Sequence, residues 1–339
     1  LSDREKRVTA EEYHVDGFRF DLMGVHDIGT MNEVRRALDR IDPSILLYGE
    51  GWTAARSPLD ESLRAVKRAG PRLPRIAVFD DDLRDALRGG WGDSTEPGFV
   101  SGKSGLDRNV RFGVVGATAH FQVGFDSSGD SPVAYGGHSA ETINYVSCHD
   151  DLSLVDKLRA SAPEGMTEEE LVRFDKLAQT VVLTAQGIPS LFAGEEMLRT
   201  KGGVSNSHDS PDRVNRIDWS FKADHKDVFD YYRGLIALRR THPAFRLATA
   251  AEIERHLRFL DTGDTHVVAY MLVDHAGDDP WREILVVYNG ARAEKRVRIP
   301  PGDWHAVCLD GRIASEALAV FSGDSVPVPA SSALIAYLP

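Results

Sequence analysis

The chain has 339 residues, 42% of them hydrophobic and 27% charged, enough to bury one large core and a smaller domain. Its 52 acidic side chains against 40 basic ones leave a net charge of -12. That sign repels phosphate, sets aside nucleic acid and anionic membrane surfaces as partners, and suits a neutral ligand.

No apolar run reaches the roughly 18 residues that a membrane-spanning helix needs. The opening residues, Leu1 to Arg7, have neither a starting Met nor an apolar stretch. They read as the interior of a longer polypeptide rather than as a signal peptide.

Short apolar runs then alternate with helical periodicity, the pattern of repeated strand–helix units around a parallel sheet. In residues 17–22, Phe18, Phe20 and Leu22 fall on one face and Arg19 and Asp21 on the other. A helix is expected next, capped by Thr30 with Glu33, with Met31, Val34, Leu38 and Ile41 along its apolar stripe. Residues 45–48 form a continuous apolar run, as in a strand buried on both faces, and lead to Gly49-Glu50. The next strand, 76–79, stops at Asp80-Asp81-Asp82.

Residues 89–140 are Gly-rich and weakly periodic, an irregular excursion with short helices. The strand pattern resumes at 143–148 and ends at His149-Asp150. Thr167 and Glu170 open a long helix with Leu171, Phe174, Ala178, Val181, Val182 and Ala185 on its inner face. A short strand at 188–192 precedes Gly194-Glu195-Glu196, and a further helix covers 225–241. Beyond His242-Pro243, alternating runs at 267–273, 284–288, 297–299, 305–308 and 334–338, with Asn289-Gly290 as a turn, predict an antiparallel β-sandwich. The domain reading is therefore residues 1–242 and 243–339. Cys148 and Cys308 belong to no metal-binding spacing and read as two buried thiols.

Asp21, Glu50 and Asp150 each close a predicted strand, the last beside His149. In a parallel α/β barrel such strand ends converge on one mouth. Carboxyl groups brought that close shift one another's proton affinity, so that one stays protonated near neutrality while another is ionised. Glycoside hydrolysis needs that combination. Arg19, two residues before Asp21, is placed to hold its carboxylate. Any one of these residues alone could equally be a helix cap or a solvated loop group.

Asp16-Gly17-Phe18-Arg19-Phe20-Asp21-Leu22-Met23, Tyr48-Gly49-Glu50-Gly51-Trp52 and Tyr145-Val146-Ser147-Cys148-His149-Asp150 resemble, in order and spacing, three conserved regions of the α-amylase superfamily, glycoside hydrolase family 13. The segments 76–85, 186–203 and 206–216 are similar to stretches typical of its pullulanase branch, the type I starch-debranching enzymes. Asp151 departs from the branch, which usually has Asn there.

The resemblance implies hydrolysis of α-1,6 branch linkages in pullulan, amylopectin or limit dextrins with retention of configuration. Asp21 would be the nucleophile, Glu50 the acid/base and Asp150 the stabiliser of the sugar ring, with Arg19 and His149 assisting. The two leading carboxyl groups should lie about 5–5.5 Å apart. Asp212 and Arg216 would contact glucan further along, or pair with each other to shape their loop. Trp52 and Trp91 would offer ring faces to sugars, Trp91 alternatively anchoring its loop, and His26 would line the pocket. Glu195 and Glu196 read as hydrogen-bonding structure around the site.

No cofactor is required, and no metal-ligand pattern is present. The superfamily admits a structural calcium ion, for which Asp80–Asp82 is the candidate acid cluster. The superfamily's first conserved region is absent, and about five strands are legible where a closed barrel has eight and roughly 250 residues. The expected fold is a partial (β/α)8 barrel, its later strands, followed by a β-sandwich. Its partners would be an α-glucan and the N-terminal remainder of the same enzyme, without which residues 1–339 are expected to be inactive or merely glucan-binding. An amylase, isoamylase or transglycosylase of the same superfamily is the rival activity.

Overall fold

A computed structural model describes residues 9–54, 56–124 and 134–339. The expectations placed on Leu1 to Arg7, and the part of the 89–140 excursion that covers 125–133, lie outside the described residues.

Five short strands, β1 (Gly17–Phe20), β2 (Leu46–Gly49), β3 (Ala77–Phe79), β4 (Thr142–Asn144) and β5 (Ile188–Pro189), pair in parallel in chain order. The helices between them are α1 (Ile28–Asp39), α2 (Asp81–Arg88), α3 (Asp107–Val114), α4 (Leu154–Ala160) and α5 (Glu168–Thr184). The sheet sorts its side chains by face. Phe18, Leu47 and Val78 join the main core beneath the helices, whereas Ala77, Phe79, Ile143 and Tyr145 form a small separate cluster with Tyr48, Trp52, Cys148 and Ile188 around it. Tyr48, Phe79 and Tyr145 meet edge to face there, with ring centroids 5.6 and 4.8 Å apart.

The cap of α1 differs from expectation. Asp27, not Thr30, caps it: Oδ1 accepts from Thr30 N at 2.9 Å and Oδ2 from the Thr30 hydroxyl at 2.6 Å. An ionised carboxylate is the stronger partner for free amides at a helix start, so Thr30 becomes a donor inside the first turn. The capping box of α5 forms as read, Thr167 and Glu170 closing it reciprocally.

Helices α6 (Lys226–Thr241) and α7 (Ala250–His256) lead into an antiparallel sheet built from β6 (Leu257–Leu260), β7 (Val267–Leu272), β8 (Glu283–Asn289), β9 (Lys295–Leu309), β10 (Arg312–Ile313), β11 (Ala319–Val328) and β12 (Ser332–Leu338). Its strands alternate with period two. Val267, Ala269, Met271, Leu285, Val287, Leu334 and Ala336 share one apolar cluster, while Val268, Tyr270, Ile284, Val286, Tyr288 and Ile335 join the main core. Tyr270 OH donates to Thr184 O at 3.0 Å and Tyr231 OH meets Cys308 Sγ at 3.3 Å, so the sheet is bonded to α5 and α6. The main core therefore continues across residue 242.

Two sequence readings change here. The runs at 297–299 and 305–308 belong to one 15-residue strand, β9, which continues through Pro300-Pro301-Gly302. Asn289-Gly290 is not a hairpin turn, because β12 lies between β8 and β9. Asn289 is buried instead, and its Nδ2 donates to Ala293 O, Val328 O and Pro329 O. Among the described residues no helix is long and apolar enough to cross a membrane.

Candidate active site

β1 ends at Asp21, and the next residue, Leu22, turns into the left-handed region (φ 47°). That turn aims the Leu22 amide at Glu50 Oε2, 2.7 Å away. β2 brings Glu50 alongside, its own amide bonded to Phe20 O at 3.0 Å. The preceding residue must be glycine, since a Cβ on Gly49 would stand 2.6 Å from Phe20 O.

Arg19 lies between the acids. Nη1 pairs with Asp21 Oδ1 at 2.5 Å and Nη2 with Glu50 Oε1 at 2.9 Å. Nη1 also lies 3.2 Å from His149 Nδ1. The guanidinium rests over the Phe79 ring, 5.2 Å from its centroid, so the inner sheet cluster is its floor. His149 Nε2 stands 3.3 Å from Asp150 Oδ1, which links Asp150 to the same group. The ends of β1 and β2 and the turn that follows β4 by five residues, not a strand end as read from the sequence, thus meet at one arginine.

The two leading acids occupy different surroundings. The Glu50 side chain is 7% exposed and that of Asp21 65%. Burial pushes the Glu50 carboxyl above the usual carboxylate range; the Leu22 amide and Arg19 oppose this, and Asp21 and Asp150 add to it. A buried acid that holds its proton more tightly, beside an exposed carboxylate held by arginine, can do proton transfer and nucleophilic attack at one centre.

Arg19, Glu50 and Asp150 line a cleft of about 790 Å³ whose walls also include Trp52, Phe79, Arg84, Trp91, Tyr145, Cys148 and Asn206; Asp21 and His149 are not on that wall and join it through Arg19. Trp91 is 65% exposed there and is not a buried anchor. Its loop is pinned by the buried Lys157, which donates to Gly90 O at 3.0 Å and Asp93 O at 2.5 Å. Trp52 lines the same cleft. Cys148 is half-buried in the wall, and Cys308 is fully buried; both are free thiols.

Three of the residues singled out in the sequence stand elsewhere. His26 packs edge-on against Phe20 at 5.7 Å and is not on the cleft wall. Asp212 and Arg216 sit on and just after a short helical turn, Asp212–Asn215, outside that wall. Arg216 reaches Asp218 at 3.6 Å, so the Asp212–Arg216 pairing considered from sequence is replaced by a different one.

The cluster Asp80–Asp82 does not fit a calcium ion. Lys67 Nζ already pairs with Asp81 and, at 2.9 Å, with Asp82, while buried Asp80 caps α2 through Leu83 N at 3.1 Å. Cys148, His149 and Asp150 hold donor atoms within 4.8 Å of one another, but the nearby Arg19 cation engages the same imidazole. Glu195 is buried behind the β4 end, where it accepts from Ser147 Oγ, from Gln179 Nε2 at 3.0 Å and from Phe192 N at 3.1 Å. Burial pushes its carboxyl up to about 8.

Sequence reasoning missed Lys201 and Arg88, buried cations that reach the turn carrying His149 and Asp150. Nothing in a sequence distinguishes a buried lysine from a surface one.

The family described as "pullulanase, all-beta domain" matches residues 253–312. Pullulanase of Bacillus subtilis strain 168 is 37% identical over 290 residues, covering 86% of this chain and 39% of its own length. The structure of pullulanase from Bacillus acidopullulyticus superposes with a TM-score of 0.91 at 40% identity, covering 99% of this chain and 39% of that one. Pullulanase from Paenibacillus barengoltzii, solved in complex with maltohexaose and α-cyclodextrin, gives 0.88 at 41% identity, covering 99% and 50%. The chain thus spans about two fifths to one half of the length of these relatives. With three motifs meeting at Arg19 and likeness along almost its whole length, the chain belongs to the pullulanase family.

Proposed function

We propose that this chain carries the catalytic carboxyl groups of a retaining glycoside hydrolase that cleaves α-1,6 branch linkages in pullulan, amylopectin or limit dextrins. One observation carries the reading: Asp21 and Glu50 grip opposite ends of the Arg19 guanidinium, one exposed and one buried, with His149 and Asp150 alongside.

Asp21 attacks the anomeric carbon while Glu50 gives its proton to the departing glycosidic oxygen. A glycosyl ester on Asp21 results. Water then attacks that ester, Glu50 takes the water's proton, and Asp21 leaves as carboxylate. Arg19 holds the nucleophile in place through Nη1. Asp150, held beside His149, faces the ring as positive charge develops on it. The apolar ring faces of Trp52 and Trp91 suit glucose units along the cleft, and the maltohexaose complex of a relative supports an α-glucan there.

In this reading the five parallel strands are consecutive members of a (β/α)8 barrel, and the C-terminal strands, one antiparallel sheet rather than the two layers of the expected sandwich, pack beside it. β1 and β5 are the sheet's two edges among the described residues, and each presents backbone groups that a neighbouring strand of a closed barrel would pair. Residues 1–339 alone should therefore not turn over, and should do so within a polypeptide that supplies the remaining strands. Pullulan is the discriminating substrate. Maltotriose as the product supports the reading; panose without maltotriose would sink it, as would hydrolysis by residues 1–339 alone for the claim of dependence.

A further inference from the structure

The turn that carries Asp150 has no strand partner. Its side chains at 149 and 150 are about half exposed, and Asp151 sits in the left-handed region at φ 62°. Something other than the sheet must fix its backbone.

Two buried cations reach it from different elements. Lys201, 3% exposed, donates from Nζ to His149 O at 2.7 Å, with the Phe192 ring face 5.2 Å away. Its own backbone is fastened to α4: Asp156 Oδ2 accepts from Lys201 N at 2.7 Å, and Oδ1 accepts from Thr200 Oγ1 at 2.5 Å. Ser153, the cap of α4, donates to the same carboxylate at 2.8 Å. From α2, Arg88, 1% exposed, donates through Nη1 to Leu152 O at 2.9 Å and pairs through Nη2 with Asp151 Oδ2 at 2.6 Å. Burying an ammonium to bond a backbone carbonyl is expensive, and an apolar side chain would fill the same space at lower cost.

We propose that Lys201 and Arg88 are positioning residues that clamp the 149–152 turn and set where Asp150 stands against the sugar. The proposal rests on the reading of Asp150 given above. It also accounts for Asp151, whose carboxylate pairs with the Arg88 charge that the clamp brings into the interior.

The test is a double-mutant cycle in the pullulan-hydrolysing polypeptide. A displacement of about 1 Å at a reacting group can cost up to about 100-fold. Lys201→Met should therefore lower kcat on pullulan by about 10- to 100-fold, with KM changed by less than about threefold. In an Asp150→Asn background the same substitution should cost less than about twofold, because its effect runs through Asp150. A full additional loss in that background, or a defect confined to KM, overturns the proposal.

Amide exchange needs no turnover and separates this proposal from the functional reading. In Lys201→Met, exchange at 149–152 should accelerate by about tenfold while α5 stays as protected as before. Unchanged exchange at the turn overturns the clamp even if pullulan hydrolysis is normal. Accelerated exchange in a polypeptide that does not cut pullulan keeps the clamp and rejects the functional reading.

Discussion

Arg19 is the group on which the two leading acids depend unequally, and its replacement makes a graded prediction. The bond to Glu50 is largely sheltered, at 2.9 Å and with the Glu50 side chain 7% exposed. A hydrogen bond from a charged donor in such a place is worth about 1.5–3 kcal/mol. The bond to Asp21 involves a side chain 65% exposed, where solvent screening leaves an ion pair with at most about 1 kcal/mol. In Arg19→Met, therefore, the larger effect falls on Glu50.

Burial already pushes that carboxyl up, and losing the opposing cation pushes it further. The acid must be protonated to cleave, so the alkaline limb of kcat/KM against pH should move upward. The direction is upward, and the bond that sets its size is the sheltered one to Glu50. Peak activity should fall by about 100-fold from loss of alignment. The assay is kcat/KM on pullulan across pH, paired with α-maltotriosyl fluoride, whose leaving group needs no proton and should erase the alkaline limb in both proteins. An alkaline limb that stays in place, or moves down, would refute the assignment of Glu50 as the acid held by Arg19.

Other substitutions test separate parts of the account. Glu50→Gln should lower kcat on pullulan by about 100- to 10,000-fold, the share of a positioned proton donor, while kcat/KM on the fluoride, which reports formation of the ester alone, should fall much less. Trp91→Ala should raise KM for pullulan by about two- to tenfold, the worth of one aromatic face, with kcat near normal. Lys67→Met should cost about 3–5 kcal/mol by urea denaturation, because it leaves Asp81 and Asp82 without their cation. Glu195, pushed up to about 8 by burial, stays protonated in the fold at pH values where the unfolded chain is ionised. Its contribution is full below the unfolded value near 4.5 and is lost as pH rises through about 8. Glu195→Gln should remove that fall, which urea midpoints at pH 5 and pH 8 in both proteins would show.

The first three parallel strands were legible because each is a short apolar run closed by an acid, whereas the runs read at 143–148 and 188–192 are strand only over Thr142–Asn144 and Ile188–Pro189. Arg19 was legible too, since alternation put it on the face of Asp21. What the sequence hid depends on contacts between distant segments. β11 carries Gly323 and Pro327 within it, and no strand was expected over 319–328, yet pairing with β9 holds it extended. Asn289-Gly290 carries a strong local turn signal, but the buried Asn289 amide has three carbonyls to satisfy and β12 inserts beside it. Lys201 lies 52 residues from the carbonyl it bonds, a distance over which no periodicity speaks. The Leu22 amide, being backbone, leaves no side-chain signal at all.

The central claim, that Asp21 is the nucleophile and Glu50 the acid/base, predicts a covalent intermediate at one address. In Glu50→Gln, α-maltotriosyl fluoride should glycosylate the enzyme, since fluoride leaves unaided, and hydrolysis of the ester should be slow without the base. Proteolysis and mass spectrometry should then find one maltotriosyl group on the peptide that carries Asp21, removable by azide as the α-glycosyl azide. An adduct on the Asp150 peptide, or no adduct while the fluoride is still consumed, would contradict the account.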